Sequence, residues 1–390
     1  MELLTSTSAL HIASETAASG FFFLSPWRSL TAKGCFTTIS TPAREGEIIT
    51  GRFQHEIRRH LSEAKRQGIV NPVVVGAIPF DISQPSALFI PETSHFFDRR
   101  SFQPRQPPGP EHNDILRRRA LPERPDFMRM VSQAVAATAS SSLDKVVLSR
   151  LMDIVTEKPV DVDSLMKKLI EQNPDSYNFH VPLAQGGSLL GASPELLLRM
   201  HGRSYYTHPL AGSARRDSDR EKDRAAGEQL MNSVKDRYEH QVVVDALRDV
   251  LQSRSRHLTL PAEPALLSTG TLWHLGTPIK GEARHAAENA LSLACLLHPT
   301  PALSGYPHAS AMRLIAELEP FDRDLFGGIV GWCDEHGNGE WVVTIRCGKV
   351  AGNRVRLFAG AGIVPDSTPE SEWRETGIKL NTMLRAFGLN

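Results

Sequence analysis

The stretch from Gly328 to Ala359 limits the possible folds more than any other part of the chain. Three β-rich runs, Gly328–Cys333, Glu340–Cys347 and Val355–Ala359, follow one another, with a Gly-rich turn at Gly337-Asn338-Gly339. Connections this short join antiparallel neighbours, because a parallel pair needs a crossover of about a dozen residues or more. The same habit recurs upstream. Strands are expected in 20–40 around a Ser25-Pro26 turn, at Val73–Ala77, Lys145–Ser149, Asn178–Leu183 and Ser188–Ala192, and near Thr271–Leu275. Helical periodicity falls between them, over 52–67 (Phe53, Ile57, Leu61 and Ala64, ended by Gly68), Met128–Thr138, 222–254, Ala286–Leu296 and Pro369–Phe387. Hairpins with segregated helices predict an α+β fold and not alternating βαβ units. A chain of 390 residues has room for two or three domains at about 150 residues each. No repeat or linker-like composition divides it, so one domain over 1–390 is expected: 1–125 as its N-terminal portion, 126–390 as the portion carrying the catalytic motifs.

Charge excludes several classes. Lys plus Arg and Asp plus Glu are both 44, without the positive excess of a nucleic-acid or polybasic membrane binder. Arg99 to Asp126 is rich in Arg and Pro but interspersed with acids, and reads as a solvated surface crossing. Val73–Phe80 and Ala290–Leu297 are core-sized apolar runs, far short of the ~20 residues that span a bilayer. Met1–Thr5 has no basic start or apolar run of a signal peptide. Cys35, Cys295, Cys333 and Cys347 lack any zinc spacing and are expected reduced, in a cytoplasmic protein. No Gly-Lys-Ser/Thr phosphate cradle is present.

Several polar residues sit where packing alone does not require them. Over 222–254 an apolar stripe of Met231, Val234, Tyr238, Val242, Ala246 and Val250 places Glu239 at its edge; a surface ion pair with Lys235 fits the same spacing. In the last helix Glu372, Glu375 and Lys379 share one stripe, which suits either a solvated ladder or a functional face. Carboxylates from separate helices, without His or Cys, suit a hard cation such as Mg2+. Lys145 opens an apolar strand, and a desolvated lysine can serve as a base. Glu195 follows Ser193-Pro194, a turn or helix cap. Gly212-Ser213 and Gly360-Ala361-Gly362 read as turns that aim backbone N–H groups at an anion. Arg346, alternating with Val342 and Thr344, could clamp a carboxylate through two parallel bonds. Together these residues describe a cleft for a small dianion with a metal, a base and an acid.

At these segments the chain resembles the chorismate-utilising enzymes. The matching blocks are Asp144–Arg150, Gly191–Glu195, Pro209–Arg216, His298–Gly305, Gly327–Gly331, Ala359–Val364 and Glu372–Lys379, collinear over about 130–390. Phe21–Pro26 and Asn71–Phe80 extend the likeness to the siderophore-pathway isochorismate synthases, typified by the enterobactin-pathway enzyme. The resemblance implies a single α+β domain of two large antiparallel sheets packed as a sandwich, with flanking helices. It implies Mg2+ as cofactor on Glu239 and Glu375, with Glu372 nearby. It assigns Lys145 as general base for water attack at C2 of chorismate, and Glu195 as general acid for the departing C4 hydroxyl. Gly212, Ser213, Arg346, Gly360 and Lys379 are expected to hold the substrate carboxylates, and His298 and Ala302 to lie beside the substrate. Anthranilate synthases typically carry Gln where this chain has Lys145, and pyruvate-eliminating members generally carry Thr at the place of Ala302. Isochorismate synthase, feeding catecholate siderophore synthesis, is therefore the expected activity. A salicylate synthase and a non-catalytic chorismate-binding protein are the alternatives. A monomer is expected, with a downstream isochorismatase as possible partner and neither nucleic acid nor membrane.

Overall fold

The computed structural model describes residues 20–102, 113–139 and 142–388. The expectation for Met1–Thr5 lies outside them, as does part of that for the Arg99–Asp126 crossing. Two antiparallel sheets dominate. The first runs in the order 305–306, 145–156, 354–363, 347–351, 188–193, 177–182, 21–24, 29–33, 93–97, and strand Ile115–Leu121 also pairs with Lys145–Thr156. The second runs 255–259, 279–283, 204–208, 196–201, 339–343, 329–334, 73–78, 87–90, 37–39. A small third sheet joins 210–215, 272–276 and 265–268.

The sheets meet face to face. Phe21, Phe23, Val181 and Leu189 of the first pack in one buried cluster with Val75, Val330, Trp332 and Val342 of the second. These strands alternate because their inner residues are apolar at every second position. Helices cover the outer faces. Val162–Gln172 and Pro369–Ala386 lie on the first sheet, while Arg52–Arg66, Val234–Arg254 and Ala290–Leu297 lie on the second. The α+β class read from the hairpins and the two-sheet sandwich implied by the resemblance are therefore the fold.

Four local expectations are corrected. The 222–254 helix is two, Arg220–Asn232 and Val234–Arg254, broken at Ser233, whose hydroxyl caps the second by accepting from Asp236 N (3.2 Å). Its buried face is not the predicted stripe. Val234, Tyr238 and Val250 are exposed, and Glu239, His240, Val243, Val244, Leu247 and Leu251 face inward. The Arg-rich crossing contains the strand Ile115–Leu121, because Lys145–Thr156 offers a second edge to pair with. Gly360-Ala361-Gly362 lies inside strand Arg354–Ile363, and Gly212 lies at a bulge inside strand Leu210–Arg215, so neither is a free turn.

One buried ion pair ties strand Lys145–Thr156 to the helix His308–Leu318 and the loop beyond it. Glu319 and Arg323 bond each other at 2.6 and 2.8 Å. Glu319 also accepts from Ser149 N at 2.7 Å, and Arg323 donates to the carbonyls of Val147 (2.8 Å) and Leu303 (2.7 Å). Removing one partner leaves a buried charge uncompensated. Arg323→Met is expected to cost about 3–5 kcal/mol, read as a lower urea midpoint with unchanged slope; a shift under about 1 kcal/mol would mean the pair is solvated.

Candidate active site

The first strand of the site begins at Lys145. Strand alternation puts Lys145, Val147 and Ser149 on one side, and the residues opposite Val147 and Ser149 on the neighbouring strand are Gly362 and Gly360. The missing side chains are needed there. A Cβ on Gly362 would stand 2.0 Å from Glu239 Oε1 and 2.9 Å from Lys145 Cε. Lys145 is fully buried, and its Nζ lies 3.0 Å from Glu239 Oε1. Sequence spacing paired Glu239 with Lys235; the fold pairs it with Lys145 instead.

Glu195 sits where the chain crosses between sheets, just after Ser188–Ser193 of the first and before Leu196–His201 of the second. Ser193 Oγ accepts from Glu195 N (3.2 Å), and Leu210 N donates to Glu195 Oε1 (3.4 Å). Burial pushes its carboxyl up to about 7, against the Leu210 N–H and the cations Lys145, Arg346 and Lys379.

Glu195 lines a cavity together with Gly212, Ser213, Glu239, Ala302, Arg346, Gly360, Glu375 and Lys379. Nine of the twelve predicted site residues thus converge, from the first main sheet, the third sheet, two helices and three connecting segments. Lys145 stands directly behind Glu239. His298 is buried with its Nε2 2.8 Å from the Pro79 carbonyl oxygen, a contact that fixes the start of the loop carrying Ala302. Glu372, also fully buried, accepts from Lys235 Nζ at 2.8 Å. Gly212 has φ +77°, a conformation that favours glycine, and a Cβ there would stand 3.0 Å from Asp236 Cβ. Arg346 is not on a strand: it follows Gly339–Val343 at φ +49° and is buried. Burial lowers its pKa to about 10, while Glu375 and Glu195 oppose the fall. It forms no ion pair among the described residues.

The charges are balanced in pairs. Glu239 faces Lys145 (3.0 Å), Glu372 faces Lys235 (2.8 Å), and Glu375 faces Lys379 (2.5 Å), whose Nζ also donates to the Gly360 carbonyl (2.9 Å). Burial and the adjacent Glu375 push the Glu372 carboxyl up. Glu375 itself is held down by Lys379 and Lys235 in spite of its burial. Among the described residues no three His, Cys, Asp or Glu side chains stand ready-grouped around a metal. The donor chemistry nonetheless suits a hard divalent cation: three carboxylates surround Lys235 electrostatically, and Glu372 Oε2 is buried with no hydrogen-bond partner. A divalent cation and a dianion arriving together would leave the site's net charge unchanged.

Sequence reasoning missed His274 and Lys235. His274 lines the cavity from strand Leu272–Gly276, with Nε2 buried and unpartnered. Burial, then Arg346 and Lys379, lower its pKa to about 3, so the ring is neutral. No motif marks it; only the pairing of 272–276 with 210–215 brings it to Gly212.

A family model described as a chorismate binding enzyme matches residues 90–388. The isochorismate synthase EntC of Escherichia coli (strain K12) is 57% identical over 376 residues, covering 96% of each chain. The isochorismate synthase DhbC of Bacillus subtilis (strain 168) is 38% identical over 394 residues, covering 100% of this chain and 98% of that one. Among solved structures, the menaquinone-specific isochorismate synthase MenF of Escherichia coli superposes with a TM-score of 0.81 at 26% identity, covering 99% of this chain and 92% of the other. With the sandwich, the charged cavity and these relatives in agreement, the chain belongs to the chorismate-binding enzyme family.

Proposed function

We propose that this protein isomerises chorismate to isochorismate and supplies isochorismate for catecholate siderophore synthesis. The observation that carries the reading is one cavity lined by the buried carboxyl of Glu195 and by Arg346 and Lys379, with the buried lysine Lys145 behind its Glu239 wall. Water is a poor nucleophile and hydroxide a poor leaving group, so the exchange needs a base on one side and an acid on the other. Lys145, in its neutral amine form, takes a proton from the water that attacks C2. The ring double bond shifts, the C4–O bond breaks, and Glu195 delivers its proton to the departing oxygen as water leaves. Exchange of one proton with solvent resets both groups. Arg346, Lys379 and the Gly212-Ser213 and Gly360 backbone hold the two carboxylates, and neutral His274 offers a ring nitrogen to a hydroxyl. Glu239 and Glu375, with Glu372 beside them, would hold Mg2+, which offsets substrate charge when bound. Ala302 leaves the wall without the hydroxyl of a Thr, in keeping with isomerisation without pyruvate loss. Both sheets draw strands from the 1–125 and 126–390 portions, which supports reading the chain as one domain.

Proton NMR of chorismate with the purified protein and Mg2+ tests this reading. A chorismate–isochorismate mixture reached from either side, and absent with EDTA, is expected. Salicylate with pyruvate would move the protein to the lyase branch. Binding with no conversion would make it a non-catalytic chorismate-binding protein.

Gly362→Ala tests the geometry without removing a functional group. The added methyl drives the Lys145–Glu239 pair apart, and misplacement on the order of 1 Å is worth about 10^2 in rate. The expected result is a kcat lowered about a hundredfold in a protein that still folds; unchanged kcat would show that the pair need not be held so closely.

A further inference from the structure

The Arg-rich run that the proposed reaction leaves unused builds a second pocket. Along Ile115–Leu121 alternation separates Arg118 from Arg117 and Arg119. Arg118 stands opposite Ile154, on the face of strand Lys145–Thr156 that also carries Met152 and Arg150. That face turns away from the one carrying Lys145, towards the last helix. There Arg118, Arg150, Arg215 and Arg374 line a pocket of about 440 Å3 with no Asp or Glu in its wall. None of the four guanidinium groups has an ion-pair partner among the described residues.

Arg150 is the centre of the argument. It is only 4% exposed. Its guanidinium lies 3.6 Å from the Trp373 ring centroid, and it donates to Thr376 Oγ1 (2.8 Å) and the Trp373 carbonyl (3.4 Å), all neutral partners. Burial and then the nearby Arg118 lower its pKa to about 10. A buried cation without a counter-charge is costly, and a second cation nearby, Arg118, adds to the cost. The nearest carboxylate along the strand, Asp153, is on the opposite face and is taken by Arg356 (2.7 and 2.9 Å). Planar guanidinium forks match the oxygens of phosphate and carboxylate groups. Four of them with no acid call for more than one negative charge, and Ile378 and Leu384 give the wall an apolar side.

We propose that this pocket is a second ligand site, separate from the chorismate cavity, that binds a small anion carrying two or more phosphate groups. Arg150 and Trp373 form its floor, and Arg118, Arg215 and Arg374 form its rim. The pocket does not depend on the isomerase reading, because its residues are outside the catalytic set.

Calorimetric titration of the full chain with inorganic pyrophosphate, at low salt and without Mg2+, tests the proposal. One saturable site is expected, weakened at least tenfold in the Arg118→Gln/Arg374→Gln double variant, with chorismate kcat and KM unchanged in that variant. Both substitutions lie on the exposed rim, so the fold is preserved. A parallel titration with ADP distinguishes the source of the phosphates: tighter binding than pyrophosphate indicates an organic group resting on Ile378 and Leu384, and equal binding indicates the phosphates alone. Absence of saturable binding, equal affinity in the double variant, or full competition by chorismate would each overturn the proposal.

Discussion

Lys145→Ala is expected to lower isochorismate formation by about 10^3-fold, within the ~10^2–10^4 that a general base contributes. Lys145 is the one buried lysine on the proposed water side, and its partner Glu239 is an acceptor with no proton-abstracting role assigned. Chorismate binding should persist, because Arg346 and Lys379 reach the cavity from other elements. The substitution also leaves the Glu239 carboxylate without its ammonium, which destabilises the fold on the order of 3 kcal/mol. Kinetics therefore need to be compared at a temperature where a melting curve shows both proteins folded. Lys145→Arg separates the two effects: it keeps a cation beside Glu239 but cannot give up its proton near neutral pH. Stability is expected to recover in that variant and turnover is not. Normal turnover in either variant would remove Lys145 from the role of base.

Glu195→Gln is the counterpart on the acid side, with an expected loss of about 10^2–10^4 in kcat. The wild-type pH profile carries the same information. Burial holds the free enzyme's Glu195 protonated up to about 7. Chorismate kcat/KM should then fall with a one-proton slope above that pH. A flat profile to pH 9 would mean that another group supplies the proton. Stability follows with a definite sign. A carboxyl whose pKa is raised on folding binds a proton more tightly in the folded chain, so its contribution is full below its ordinary pKa and is lost as pH rises through about 7. Glu195→Gln has no charge to bury and should lose less stability than wild type between pH 5 and 8. A chemically less competent protein that is more stable at pH 8 would be hard to obtain from an exposed glutamate.

The pairings inside the cavity account for what these substitutions can and cannot isolate. Each candidate metal-holding carboxylate already has a lysine, and each lysine is drawn from a different place: a strand for Lys145, the start of one helix for Lys235, and the same helix as its partner for Lys379. Removing any one of the six shifts charge onto its neighbours, so single substitutions there will not add. Glu195 has no such partner, and the Glu195→Gln result is accordingly the simpler of the two to read.

Much of the site was legible because it rests on local chemistry. Glu372, Glu375 and Lys379 fall on one helical stripe by spacing alone, and the structure keeps them so. Lys145 stands out as a charge at the head of an apolar strand, whereas Glu195 after Ser193-Pro194 reads locally as a turn or cap and was singled out as an acid by the family resemblance. The hairpin at Gly337-Asn338-Gly339 fixed antiparallel pairing, and with it the fold class. The stripe through Val234, Tyr238 and Val250 failed for the same local reason. An apolar pattern says that a helix has a buried side, but Ser233 starts a new helix there, and the packing surface selects the side carrying Glu239 and Val243.

Contacts between distant segments were not legible. Nothing near Glu239 in the chain points to Lys145, and nothing near Glu372 points to Lys235. His274 carries no motif at all, and Arg118 reaches Arg150 only because Ile115–Leu121 adds to a strand edge. The sequence by itself determined most element types, the antiparallel habit and most of the charged groups of the cavity, since propensity, turn chemistry and side-chain period act over a few residues. Tertiary structure alone decided which acid faces which base and which arginine is left without a counter-charge, because those depend on sheet register and on the desolvation that packing imposes.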